Sequence, residues 1–317
     1  MKEIGPSTKL IVEEAQRRGI NALSFYPANP NFVCLETSGH HEYIYYSYNN
    51  RLGKVTASIF LNKIMTTTLL RRGGFTVPEE IFTDSEEEII DFLKKHKRIV
   101  IKPADLLWGK GITVGISQPE QVVPALAYAR EFNSRQNKII CQEHIDGYEY
   151  RVLVIDQKHI FTARRIPAHV VGDGTKTVGQ LVEAWNDLVS DDRKLKQTDL
   201  ADRLLEEQGA GWDAVPGAGR LVYLSNVANA HAGGTVVDAT DEIGDEVKAG
   251  ALAVAKHFDT SVVGIDCITS DIRKKMGCII ELNSTPDITL HHNPTKGKPR
   301  DVAGAIVDML FPETVGK

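Results

Sequence analysis

The stretch GCIIELNSTPDI, residues 277–288, begins as a buried strand: Cys278, Ile279 and Ile280 are apolar, and two of the three are β-branched. Glu281 and Asn283 follow two residues apart, and Pro286 comes soon after. Alternate side chains of a strand share a face, so the carboxylate and the amide point to the same side. Proline cannot donate to a ladder, so the strand stops with its polar pair at its end. Upstream, GIDCIT sets Asp266 between Ile265 and Cys267 in a second apolar run. An unpartnered carboxylate is costly there. Asp266 is therefore half of a buried ion pair, a cap, or a ligand. If the two strands pair, Asp266, Glu281 and Asn283 bring three hard oxygens to one face, with no His or Cys among them. That donor set suits magnesium rather than zinc, and magnesium completes its shell with water and phosphate.

Phosphate needs cations and close backbone. Lys102 closes the apolar run IVIK just before Pro103. A lysine there either meets an anion or snorkels to solvent. LLWGKGITVG follows, in which Gly109 and Gly111 let the backbone approach a ligand and offer N–H groups to phosphate. The spacing is neither that of a P-loop nor that of a dinucleotide fold. Lys63, on an earlier helix, is a second phosphate candidate, although by itself it reads as a surface residue. GDGTKT, residues 172–177, has Thr175 rather than glycine before Lys176, and reads as a turn capping a helix that starts near Val178. His291 and His292 have no spaced partners and read as polar surface residues. No nucleophile elbow is present.

The rest of the chain frames these residues. With 317 residues it can bury a sizeable core in one large domain or two. Hydrophobic residues are 42% and charged residues 25%, as in ordinary globular proteins. A net charge of −5 gives no reason to expect nucleic acid or an anionic membrane as partner. The four cysteines are scattered without a C-x-x-C, which points to a reducing compartment rather than a disulfide framework. The N-terminus carries no apolar core of signal-peptide type, and no apolar run is long enough to span a bilayer. The expected location is cytoplasmic.

Residues 7–19 read as a helix, followed by strands in NALSFY, FVCLET and HEYIYYSY; residues 1 to about 55 are expected to form a small α/β lobe. A helix is predicted over 56–72, ended by Gly73-Gly74. SEEEIIDFLKKHK is a helix with an acidic start and a basic end, matched to the helix dipole. RIVIKPAD and KIICQEHI read as strands around a helix in QPEQVVPALAYAREFN. YRVLVI and HIFTARRI read as strands joined by a tight DQK turn, and TVGQLVEAWNDLV as a helix. SDDRKLKQTD is a solvated loop; DEVKAGALAVAKHF is a helix before the last two strands. The alternation argues for a mixed α/β protein rather than a bundle or sandwich.

The order of these motifs resembles the ATP-grasp ligases. CQEHIDGYEYRVLV, ARRIPAHVVGDGTKTVGQLVEAWN, GIDCIT, IIELNSTPDI and KGKPRDVAGAIVDMLFP carry the likeness, from about Pro6 to Pro312. Within that superfamily the chain resembles the glutathione synthetase module of the bifunctional glutamate–cysteine ligase/glutathione synthetase, with cyanophycin synthetase a near relative. The resemblance implies an α/β (α+β) ATP-grasp fold. It places an N-terminal lobe at 1–55 and an ATP-grasp domain at 56–317, the latter made of a lid subdomain (about 56–145) and a C-terminal subdomain (about 146–317) that grip ATP.

The resemblance also implies roles. Lys63 and Lys102 hold ATP phosphates; Gly109 and Gly111 belong to a mobile lid loop. Gln142, Glu143 and Ile145 line the adenine edge, partly through backbone groups, and Glu149 takes the ribose. Asp266, Glu281 and Asn283 hold two magnesium ions, with manganese as an alternative. Arg165, with Lys102, stabilises the transferring phosphoryl group. Arg151, Asn229, Gly233 and Gly234 face the substrate. The implied reaction is ATP-dependent, ADP-forming condensation of a carboxylate with an amine through an acyl phosphate. The implied partners are an amino-acid or peptide acid and an amine, and a homodimer is the implied assembly. The chain begins where the second module of the bifunctional enzyme begins, so the first reaction is expected from another protein. It departs from its relatives at SDDRKLKQTD and at NAHAGG, where His231 and Ala232 precede the double glycine, and at Pro299. These positions concern substrate rather than ATP and leave glutathione one product among several. A ligase joining other amino acids or peptides, and a non-catalytic ATP-binding module, are the competing readings.

Overall fold

The computed structural model describes residues 3–26, 28–104, 111–132, 139–189, 191–228 and 233–316. They fall into two compact units, one of residues 1–78, 145–164 and 238–317, the other of residues 79–144 and 165–237.

In the first unit, the strands Tyr148–Ile155 and Cys278–Asn283 flank the strand Val262–Thr269, both antiparallel to it. The strand His159–Ile166 lies on the outer side of Tyr148–Ile155. These two are joined at Asp156 and Gln157, both left-handed (φ 55° and 48°), as a two-residue primed turn demands. The central strands are apolar on both faces, which is why they read as continuous runs. Leu153, Ile155 and Val262 face a core shared with Ile11, Leu35, Ile306 and Phe311. Val152, Val154, Val263 and Ile265 face the opposite core, which the helix Asp245–His257 closes with Val247, Ala251 and Val254.

The antiparallel sheet of Asn21–Ser24, Phe32–Glu36, His41–Tyr45 and Tyr48–Asn49 follows the expected order. It is not a separate lobe. Val33, Leu35 and Ile44 share one apolar cluster with the late helix Val302–Leu310, so no boundary between compact units falls at residue 55. The helix expected over 56–72 is two helices, Lys54–Phe60 and Lys63–Arg72. The break comes from Asn62, whose side chain accepts the Met65 N–H at 3.0 Å and so caps the second helix. Lys63 thereby opens that helix.

In the second unit, the strands Glu80–Phe82, Ile139–Glu143, Ile99–Pro103 and Thr113–Ile116 form an antiparallel sheet in that order. The helices Glu86–His96 and Val122–Glu131 cover one face, packing Ile89, Phe92 and Leu126 on Ile99, Ile101 and Cys141. A smaller cluster joins the strands His169–Val171 and Leu221–Tyr223 to the helices Val178–Asn186 and Asp199–Glu207. Thr177 caps the first of these helices in a reciprocal box with Gln180, as GDGTKT suggests. SDDRKLKQTD is less free than its charges imply. Leu195 is buried in the cluster, and its backbone N–H and C=O both bond the Asn186 amide, at 2.7 and 2.9 Å.

All sheet pairings described are antiparallel, so the mixed architecture is α+β. Among the described residues no helix is long and apolar enough to cross a membrane.

Candidate active site

The polar end of the strand Cys278–Asn283 is built by register. Asp266 stands opposite Arg151 on one side and opposite Glu281 on the other. Directly opposed residues share a face. Glu149, two residues before Arg151, and Asn283, two after Glu281, therefore join them on the face that further along carries Leu153 and Val262. The register slips between Asp266 and Cys267, leaving Ile280 as the extra residue of a bulge. The bulge keeps Glu281 and Asn283 on this face while Ile279 and Leu282 both enter the opposite core.

Asp266 is only 3% exposed and Arg151 6%. The guanidinium grips the carboxylate with two bonds, Nε to Oδ1 and Nη2 to Oδ2, the second at 3.0 Å. Asn283 adds a longer contact from Nδ2 to Asp266 Oδ2 at 3.4 Å. Gly264 makes room for Arg151: an added Cβ would lie 3.1 Å from Arg151 Cδ and 3.0 Å from Pro286 Cβ. Both readings of Asp266 thus meet in one place, a buried ion pair inside a set of oxygen donors. Arg151, expected to face substrate, holds Asp266 here.

Glu281 is half-buried and lines a depression with Lys63, Thr66, Thr67, Phe60 and Ile280. The carboxylate of the strand end and the lysine that opens the helix Lys63–Arg72 thus border one space. Among the described residues no three His, Cys, Asp or Glu side chains gather as a metal cluster. The set here is two carboxylates and an amide. Its hard oxygens fit a magnesium ion that takes the rest of its shell from phosphate and water.

The second unit holds the other cation. Lys102 is 7% exposed, and its Nζ donates to Gln142 Oε1 at 2.9 Å. Gln142 Nε2 donates in turn to Glu80 Oε2 at 3.3 Å. Glu143 is tied to the sheet edge: its Oε1 accepts the Glu79 N–H at 2.8 Å, and its Oε2 lies 3.4 Å from His96 Nδ1. Arg165 is half-buried on the strand His159–Ile166.

Two glycines read as ligand approaches have structural reasons of their own. Gly111 is left-handed (φ 70°), and a Cβ there would lie 2.8 Å from Pro103 Cγ. Gly233 (φ 82°) is buried, and a Cβ would lie 2.4 Å from Leu195 Cδ2, so the double glycine seats on the stretch after the Trp185 helix. Gly234 is buried beside it, and Ile145 is half-buried before the strand Tyr148–Ile155. Gly109 and Asn229 lie outside the described residues.

Sequence reasoning missed three features. His291 and His292 are not surface residues. His292 Nε2 accepts the Ala303 N–H at 2.9 Å, at the start of the helix Val302–Leu310. His291 is 2% exposed, and neither ring nitrogen has a hydrogen-bond partner among the described residues. Burial pushes its pKa down to about 3, with the Arg151 guanidinium acting the same way and Asp238 and Asp287 opposing. Asp238 is itself clamped by Arg300, whose Nε and Nη2 reach its carboxylate at 3.0 and 2.6 Å. The Arg300 of KGKPR, unassigned by sequence, therefore anchors the residue that leads into Thr240–Glu242.

The α+β architecture described above is matched by proteins of the ATP-grasp fold. Residues 62–211 match the family described as prokaryotic glutathione synthetase, ATP-grasp domain. The chain is 35% identical over 98% of its length to cyanophycin synthetase of Nostoc sp. (strain PCC 7120 / SAG 25.82 / UTEX 2576), covering 35% of that protein. It is 31% identical over 98% of its length to the glutathione biosynthesis bifunctional protein GshAB of Mannheimia succiniciproducens, covering 43% of it. The crystal structure of a bifunctional glutathione synthetase from Pasteurella multocida superposes with a TM-score of 0.73 at 28% identity, over 98% of this chain and 44% of that one. The chain thus spans about a third to under a half of the relatives it matches.

Proposed function

We propose that the protein is an ATP-dependent, ADP-forming carboxylate–amine ligase that makes a peptide or amide bond through an acyl phosphate. The observation that carries this reading is Asp266 set opposite Glu281 across two strand ends, with Glu281 sharing its depression with Lys63. A carboxylate resists attack by an amine because it is anionic and has a poor leaving group. Phosphorylation removes both obstacles, but it first brings two anions together. Lys63 and Lys102 bind the phosphates and neutralise part of that charge. Glu143 and Ile145, with the backbone of Gln142, line the adenine edge and Glu149 takes the ribose hydroxyls. Asp266, Glu281 and Asn283 would hold the divalent cations, two magnesium ions with manganese as alternative. Bound there, the cations would supply positive charge that offsets the phosphate anions. Arg165 holds the transferring phosphoryl oxygens. The loop containing Gly109 and Gly111 keeps water from the acyl phosphate.

The acid is an amino acid or peptide and the amine is an amino acid, in line with the two kinds of synthetase the chain matches. A γ-glutamyl dipeptide with glycine is the leading pair; Arg151, Asn229 and the Gly233-Gly234 turn belong to the substrate side. The location is cytoplasmic and the assembly a homodimer. Replacing Arg165 with Ala tests the chemistry: turnover falls far more than ATP affinity. Lost ATP affinity with turnover per bound ATP preserved would assign Arg165 to nucleotide binding instead.

A further inference from the structure

Three polar side chains stand in a row on the sheet of the second unit. Glu80 pairs with Gln142, and Gln142 pairs with Val100, two residues before Lys102 on the same strand. All three take the face away from the helix-covered core, which receives Ile81, Ile101 and Cys141. The hydrogen bonds run in one direction: Lys102 Nζ donates to Gln142 Oε1 at 2.9 Å, and Gln142 Nε2 donates to Glu80 Oε2 at 3.3 Å. This order follows from the chemistry of the ends. An ammonium has only donors and a carboxylate only acceptors, so the amide must turn its oxygen to Lys102 and its nitrogen to Glu80. Gln142 is 4% exposed, so the amide cannot trade these partners for bulk water.

We infer that Gln142 is a positioning residue, fixed by Glu80, that holds the Lys102 ammonium ready for the nucleotide's terminal phosphates. A lysine side chain gives up rotamer entropy when it is fixed. A partner that fixes it in advance removes that cost from the binding step. The amide does so without placing a carboxylate directly on the ammonium. The inference rests on the reading of Lys102 as a phosphate contact. It differs from an adenine-edge role for the Gln142 side chain, because it acts only on nucleotides that reach Lys102.

The test is calorimetric titration of the full chain with magnesium and either ATP or AMP. Gln142→Met keeps the side-chain volume and removes the amide. A hydrogen bond to a charged group is worth about tenfold or more in affinity. ATP should therefore bind about tenfold more weakly to Q142M, and AMP within about twofold of wild type. Gln142→Leu should give the same ratio. Partial unfolding lowers the apparent affinity for ATP and AMP by the same factor, so it does not imitate a loss confined to ATP. In a Lys102→Met background, adding Q142M should cost nothing further. Equal losses for ATP and AMP, or an undiminished Q142M effect in the Lys102→Met background, overturn the inference and leave the role of Lys102 standing. Unchanged ATP affinity in Lys102→Met alone overturns the phosphate role of Lys102, and the inference with it.

Discussion

Replacing Asp266 with Asn probes both roles that meet at this residue. The substitution keeps the shape of the side chain and removes its charge. Arg151, 6% exposed, would then hold an uncompensated guanidinium inside the protein. Removing one partner of a buried pair costs roughly 3–5 kcal/mol. Each kcal/mol lowers Tm by roughly 2–4 °C in a large domain, so a fall of roughly 6–20 °C is expected. Urea denaturation followed by circular dichroism measures the loss. Arg151→Met combined with Asp266→Leu is the companion measurement: with both charges gone, stability should return to within about 1 kcal/mol of wild type, because an apolar pair of similar volume replaces a buried ion pair at little cost. The two roles separate below the melting transition, where folded D266N should still lose turnover. Full stability in D266N would refute the ion-pair reasoning, as would a double variant no more stable than the single one. A folded D266N with normal turnover would remove Asp266 from the metal site.

Two further predictions follow from the same unit. His291 is neutral in the folded protein down to about pH 3, whereas in the unfolded chain it takes up a proton near its ordinary pKa of about 6.5. Below that value the unfolded state binds more protons, so stability falls with acid by about 1.36 kcal/mol per pH unit, about 2 kcal/mol at pH 5. Wild type should lose this amount between pH 7 and pH 5 relative to His291→Leu in urea midpoints; equal losses would contradict the assignment. Gly147 has φ 153°, and a Cβ there would lie 2.9 Å from the Thr269 backbone. Gly147→Ala should cost roughly 1–3 kcal/mol in denaturation and weaken ATP binding by shifting the strand that carries Glu149; an unperturbed melting curve would refute the strain argument.

The strand ends were legible because their signal is local. Period-two alternation puts Glu281 and Asn283 on one face, and a carboxylate inside GIDCIT stands out against its apolar neighbours. The partner of Asp266 was not legible. That Arg151 faces it depends on cross-strand register, and here the register also carries a bulge at Ile280 that no glycine announces. The break at Asn62 had a signal, since asparagine before a helical run is a cap; the apolar stripe of 56–72 concealed it. The expected lobe at 1–55 failed for a different reason. Its core is completed by Ile306 and Phe311, far along the chain, and local patterning says nothing about such a contact. The short strands Glu80–Phe82 and His169–Val171 are too brief to show a period. His291 was misread because histidines without spaced partners read as polar surface residues, and only packing reveals that this one is enclosed.

ADP release is the most direct test of the central claim. The protein would be given ATP and magnesium with pairs drawn from amino acids and γ-glutamyl dipeptides, and the products weighed by mass spectrometry. The account predicts ADP and phosphate only when both an acid and an amine are present, together with a product of the summed mass less one water. Release of AMP and pyrophosphate, or ADP formation that needs no acid, would contradict it.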